Sequence, residues 1–249
     1  CYNRADPPST HLHPGHRRFM ARLPRLYAPR IPQLAQAYFA RAFAQASEPD
    51  LVADMERLRG WLGLEVARHG LALHAWVVTP DRLCLLGTPA DAHGLSRVIQ
   101  GLGRRMGAGM PRGRAYQGRY HNALLEPGRW VLPAMVWLES LPAALGYVDA
   151  PARWPWSSAA AHIGLGADPL PVSDHMDYWN EGNTPFSRQA AYRRRLEAGV
   201  DPRQGAQVEA AILGQWALGE RIFLAHLGRL ASRRVAPAPR GRPRKAAAA

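Results

Sequence analysis

Between Leu71 and Thr88 the chain reads LALHAWVVTPDRLCLLGT, two apolar runs separated by a short polar break. Both runs are too short for a helix of core length and suit a buried, pleated surface. Pro-Asp-Arg supplies turn chemistry, so the stretch predicts an antiparallel hairpin. A buried hairpin needs covering elements, and the chain offers them on either side. Upstream, Ser47 is placed as an N-cap with Pro49 in the first turn. Leu51, Met55, Leu58, Leu62 and Val66 then recur at helical spacing, and Gly70 is a natural stop. Downstream, Gly94–Met106 predicts an amphipathic helix with Leu95, Val98, Ile99 and Leu102 inward and Arg97, Arg104 and Arg105 outward.

The remaining elements are less sharply marked. Leu34–Phe43 fits a strand or a short helix, and Arg119–Leu125 a strand. Pro127–Leu141 reads as a helix in which Pro133 forces a kink or a shifted boundary. The order strand, helix, strand, strand, helix, strand, helix predicts an α+β fold, a small antiparallel sheet with helices packed on one face. Four segments follow: a disordered stretch over 1–19, the main domain over 20–164, a helical basic extension over 165–235, and a basic tail over 236–249. The chain starts at Cys1 rather than Met, which reads as a missing or mis-set N-terminus.

Hydrophobic residues make up 47% of the 249 residues, enough for a packed core. The formal net charge is +13, and Lys245 is the only lysine among 32 basic residues. Arginine forks match phosphate oxygens, and so large a basic excess points to a polyanion, nucleic acid first. No apolar run reaches the roughly 18 residues a bilayer span needs, and no secretory signal is legible. Two cysteines, Cys1 and Cys84, make no disulfide framework. A cytoplasmic, nucleoid-associated protein without a membrane partner is the expectation, as a monomer or a homodimer. His11, His13 and His16 cluster in the Pro-rich start without a cysteine or carboxylate beside them, which makes a poor metal site.

Seven segments in one order carry a resemblance: MARLPRLYAP (20–29), HAWVVTPDRLCLLGTP (74–89), GLSRVIQGLGRRM (94–106), RGRAYQGRY (112–120), RWPWSS (153–158), WALGERIF (216–223) and RGRPRK (240–245). Together they resemble the REP-associated tyrosine transposases, a branch of the HUH single-strand transposases. The resemblance implies a ferredoxin-like sheet and a protein that binds hairpins of palindromic repeats and cuts and rejoins single-stranded DNA. It also implies a divalent metal, Mg or Mn, gripped by two histidines of an Asn-His-hydrophobic-His strand. A tyrosine in a Gly-Arg-Arg-Tyr pattern would attack the phosphorus. Strand alternation would put the two histidines on one side, where the ion polarises the scissile phosphate.

This chain departs from that pattern at each reactive position. Asp81 stands at the asparagine, and Arg82 and Cys84 at the two histidines. Arginine is a charged donor and repels a cation; lone Cys84 reads as a small buried hydrophobe. Met106 stands at the tyrosine, and a thioether forms no phosphoester. Tyr116 and Tyr120 match other family positions and are unactivated phenols. His74 shares a strand face with Trp76 and Val78 and reads as a half-buried polar residue rather than a remnant ligand. In LPAALGYV (141–148), Ala144 sits at the family's arginine. RWPWSS reads as a structural lock.

No intact catalytic residue and no cofactor are therefore expected, while DNA binding is. Arg104, Arg105, Arg112, Arg114 and Arg119 form the candidate phosphate-binding cluster, with Tyr116 placed to stack on bases. Arg240, Arg242, Arg244 and Lys245 form an AT-hook-like tail suited to a narrow minor groove. The expected partner is a single-stranded hairpin or an AT-rich duplex. Two alternatives stand beside this reading: an active strand transferase using substitute residues, and a structural or partner-binding relic whose charge only confers solubility.

Overall fold

The computed structural model describes residues 24–40, 48–109, 114–231 and 233–237. Strand β1 (Gln33–Tyr38) is followed by helix α1 (Glu48–Arg68), β2 (Ala72–Val78), β3 (Arg82–Thr88), α2 (Gly94–Gly109) and β4 (His121–Leu125). Then come α3 (Val131–Glu139), α4 (Leu141–Ala144), α5 (Ala159–His162), α6 (Met176–Trp179), α7 (Pro185–Ala198), α8 (Pro202–Gly214), the two-residue β5 (Ala217–Leu218) and α9 (Arg221–Leu230). The strand order is β2-β3-β1-β4-β5, with the first four antiparallel and β5 parallel to β4. This is the ferredoxin-like β-α-β-β-α-β order with one short strand added at its edge.

Local chemistry explains the elements. Thr79 N donates to Arg82 O at 2.9 Å, which leaves Pro80 and Asp81 as a two-residue hairpin loop. Residues 33–38 become a strand rather than a helix because β3 and β4 satisfy their backbone on both sides. Gly70, at φ +58°, ends α1 in the left-handed conformation that costs glycine least. Pro133 does not kink α3. The helix starts only at Val131, so the proline falls in the first turn, where its missing N–H has no intrahelical partner to lose. Ser47, the expected N-cap of α1, lies outside the described residues.

The register fixes two faces. Arg82, Cys84 and Leu86 share one with Val77, Gln36, Leu34 and Ala123. Leu83 and Leu85 share the other with Val78, Trp76, Ala35, Ala37 and Asn122. Apart from Arg82 at the hairpin start, all of these residues are buried, so the sheet is covered on both faces. The expected single helical layer is α1 with α2: Tyr116, whose hydroxyl donates to Ile99 O of α2, stacks on Phe39, on the Ala35–Ala37 face. A second layer, α3 with α8, contacts β2, β3, β4 and β1 and closes the Arg82–Cys84 face. Helices on one face were expected; near-continuous apolar strands demand cover on both. Tyr192, Leu196, Val208 and Ile212, from the segment expected as an extension, belong to this same core.

The outer edge of β2 is also closed. Val78 N donates to Trp156 O, Ser158 N to Trp76 O and Ser173 N to Leu73 O. Trp154 and Trp156 are buried; their indoles donate to Val78 O at 2.8 Å and Glu56 Oε1 at 3.0 Å, which makes RWPWSS a lock on the sheet edge. Behind it, fully buried Glu139 joins three elements. Its Oε1 accepts from Ser158 Oγ at 2.5 Å and His162 Nδ1 at 2.6 Å, and its Oε2 from Tyr192 Oη at 2.8 Å. Burial opposes a charge on His162, but Glu139 outweighs it and raises the imidazole above its ordinary pKa.

Between α1 and α2, Glu65 is 2% exposed and accepts from Arg105 Nε at 2.8 Å. Only glycine at position 101 makes room for it: a Cβ there would lie 2.0 Å from Glu65 Oε2. Gly101→Ala should therefore cost about 1–3 kcal/mol in chemical denaturation, through overpacking against a buried ion pair. Gly60→Ala, in open space on the outside of α1, should be neutral or stabilise by up to about 1 kcal/mol.

Candidate nucleic-acid interface

The residues at the family's metal positions do not fit a divalent cation. Arg82 opens β3 and turns back on its neighbour: its Nε and Nη2 donate to Asp81 Oδ2 at 2.9 and 2.6 Å. Its Nη1 donates to Tyr38 Oη at 3.3 Å, and the guanidinium carbon lies 4.8 Å from the Tyr38 ring centroid. Thr79 Oγ1 donates to the other Asp81 oxygen at 2.7 Å. Against the effect of burial, these bonds hold the Asp81 carboxyl below its ordinary pKa. The pair is thus neutral as a unit and its polar atoms are occupied. Cys84, two residues on, is fully buried, and burial pushes its thiol up to about 12. A metal needs the thiolate, which this environment suppresses. Among the described residues, no three His, Cys, Asp or Glu side chains gather as a metal site.

Met106 is 1% exposed and belongs to the core. It lies on α2, across the sheet from Arg82 and Cys84, so the fold does not bring the three positions together. The helix over the Arg82–Cys84 face is α3, which carries half-buried Trp137 and no tyrosine.

Tyr116 and Tyr120 serve the packing between α2 and β4. Tyr116 donates to Ile99 O at 3.0 Å, and its ring lies 6.0 Å from that of Phe39. Gly103 is needed beside it, since a Cβ there would come within 2.7 Å of the Tyr116 ring. Tyr120 is 6% exposed, shares a 2.8 Å hydrogen bond with Ser96 Oγ, and carries the Arg25 guanidinium 3.6 Å over its ring. Burial raises both phenols above their ordinary pKa, which keeps them protonated.

What remains on the surface here is cationic. Arg104, Arg114 and Arg119 are exposed around the end of α2 and the approach to β4. Arg105 is partly committed, through its ion pair with Glu65, and is 38% exposed. Arg25 joins this group through its stack on Tyr120. No sequence pattern marks Arg25, because only the fold brings it to a tyrosine far along the chain. Arg112, Arg240, Arg242, Arg244 and Lys245 lie outside the described residues, as do His11, His13 and His16.

His74 sits where β2 bulges between Leu73 and Ala75. Its Nδ1 lies 2.7 Å from Ser173 O and its Nε2 2.9 Å from Thr88 Oγ1, so Nδ1 carries the proton and Nε2 accepts from the threonine. Both ring nitrogens are occupied, and the residue is a structural pin. Burial, with His175 4.9 Å away, lowers its pKa from 6.5 to about 4. As pH falls through that window the unfolded chain takes up a proton that folded His74 refuses. Its contribution is complete above pH 6.5, and the protein should lose about 3 kcal/mol from this residue as pH falls to about 4. Urea unfolding across this range should show a weaker acid loss in His74→Gln than in the wild type.

No protein-family model matches the chain, and no curated protein sequence matches it. Among solved structures the chain is similar to one described as the REP-associated tyrosine transposase bound to a REP hairpin. The two share 15% identity with a TM-score of 0.46, over 60% of this chain and 89% of that one. Among the described residues, no helix is long and apolar enough to cross a membrane.

Proposed function

We propose that this protein binds DNA as a non-cleaving relative of the single-strand transposases. The observation that carries the reading is a contrast in how charge is used. At the family's reactive positions Arg82 is neutralised by Asp81 and Cys84 is sealed as a thiol. At the α2–β4 surface Arg104 and Arg114 stay exposed and, among the described residues, pair with no carboxylate. Exposed arginines left unpaired in this way take phosphate oxygens in bidentate fashion and position a strand without reading its sequence. The sequence resemblance supports the same class of ligand, a single-stranded hairpin, and the tail RGRPRK adds an affinity for AT-rich duplex.

Fluorescence anisotropy with a labelled hairpin, a scrambled single strand and an AT-rich duplex, repeated over a range of salt, tests this. Tighter hairpin binding that persists at higher salt is expected. Arg104→Ala/Arg114→Ala should weaken it and reduce the salt slope by about two, one for each arginine that no longer neutralises a phosphate. Equal, steeply salt-dependent affinity for all three probes would leave only charge. Nicking of the hairpin by pure protein with Mg or Mn would overturn the non-cleaving reading.

A further inference from the structure

The C-terminal helix α9 is anchored along one line and open elsewhere. Leu227 is its one fully buried residue, packed in a second small core with Leu26, Leu124, Ala217 and Val235. Phe223 and Leu224 are half-buried on the same side. The start of the helix is fixed as well: Glu220 N donates to Glu126 Oε2 at 2.8 Å, and the Glu220 carboxylate pairs with Arg129 at 2.5 Å. Arg221, Ala225 and Arg229 recur every four residues and so form a line opposite Leu227. Ile222, 84% exposed, and His226 lie beside it. All five are exposed, and no acidic side chain stands anywhere in the sequence from Arg221 to Ala249, a stretch with eight arginines and lysines.

We infer that α9 is a docking helix for double-stranded DNA that lies in the major groove. The inference rests on the DNA-binding reading above, but on a different surface and a different form of DNA. The ten residues of α9 span about 15 Å, enough to cross a major groove about 12 Å wide. Small Ala225, midway along the outer line, lets the helix approach base edges closely. Arg221 and Arg229 flank it at a spacing that reaches guanine edges or the phosphates on either side, and Ile222 offers an apolar contact to a thymine methyl. An anionic membrane is the less fitting partner, since the middle of the outer face is alanine, histidine and arginine rather than a wide apolar stripe.

Ala225→Glu tests this, because it places a carboxylate on the outer line at an exposed helix position without touching the anchor. Its binding to a mixed-sequence duplex, to one strand of that duplex and to vesicles of phosphatidylcholine with phosphatidylserine would be compared with the wild type. Circular dichroism and thermal melting would check that the variant is folded. Duplex affinity is expected to fall more than about tenfold, as for an unpaired like charge facing phosphate, with single-strand affinity changed less than about twofold. Arg104→Ala/Arg114→Ala should show the reverse preference. Unchanged duplex binding by Ala225→Glu, with the arginine pair variant still impaired, overturns this inference alone. Wild-type binding to vesicles but to neither form of DNA overturns both this inference and the DNA-binding reading.

Discussion

The molecule is organised by a sheet with no face to spare. Leu83, Cys84, Leu85 and Leu86 are consecutive and all at most 1% exposed, as are Ala75, Trp76, Val77 and Val78 on the paired strand. An antiparallel hairpin of that kind removes much apolar area from water only if helices lie against both sides. This requirement recruits α3 and α8 from beyond the ferredoxin-like unit and places residues of α7 and α8 in the main core. It also demands closure of the exposed edge at β2, which the two tryptophans and the strand-like contacts of Ser157 and Val172 provide.

Polar groups caught inside this double-covered sheet are paired in part, with Asn122 Oδ1 and His162 Nε2 left without a hydrogen-bond partner among the described residues. Glu139 satisfies Ser158 just before α5, His162 at its end and Tyr192 on α7, and Asn122 donates to Leu26 O and Gln33 Oε1. Such a network is costly to break, because removal of one partner leaves another buried and unsatisfied. Ser158, His162 and Glu139 have the residue types of a hydrolytic site but are at most 3% exposed, closed to any substrate. The chemistry of these side chains is spent on joining α3, α5 and α7.

Charge is divided in the same way. Across the body of the fold, carboxylates neutralise bases pair by pair: Asp81 with Arg82, Glu65 with Arg105, Glu181 with Arg195. Among the described residues, exposed arginines without a carboxylate partner stand on the surface that flanks β4 and along α9, and also at Arg68, Arg194 and Arg203. Arg25, over Tyr120, and Leu26, in the α9 core, are adjacent in the chain and tie these two basic surfaces to one sheet edge. A ligand that touched both would be a long polyanion, which is the form nucleic acid takes.

The sequence by itself determined the hairpin, the two amphipathic helices around it, the strand that ends at Leu125 and the basic excess, because each is written as a local period or a charge count. It also set Arg82, Cys84 and Met106 at the positions where the resemblance implies two histidines and a tyrosine. Only the tertiary structure decided that the sheet is buried on both faces, that Met106 lies across it from Cys84, and that Tyr116 and Tyr120 are packing residues. Those facts depend on register and on contacts between segments far apart in the chain, such as Arg25 with Tyr120 or Glu139 with Tyr192. No local pattern encodes them. The solvent-facing line of α9 was hidden for the same reason: composition announced a basic helix, but which residues face outward is set by where Leu227 is anchored.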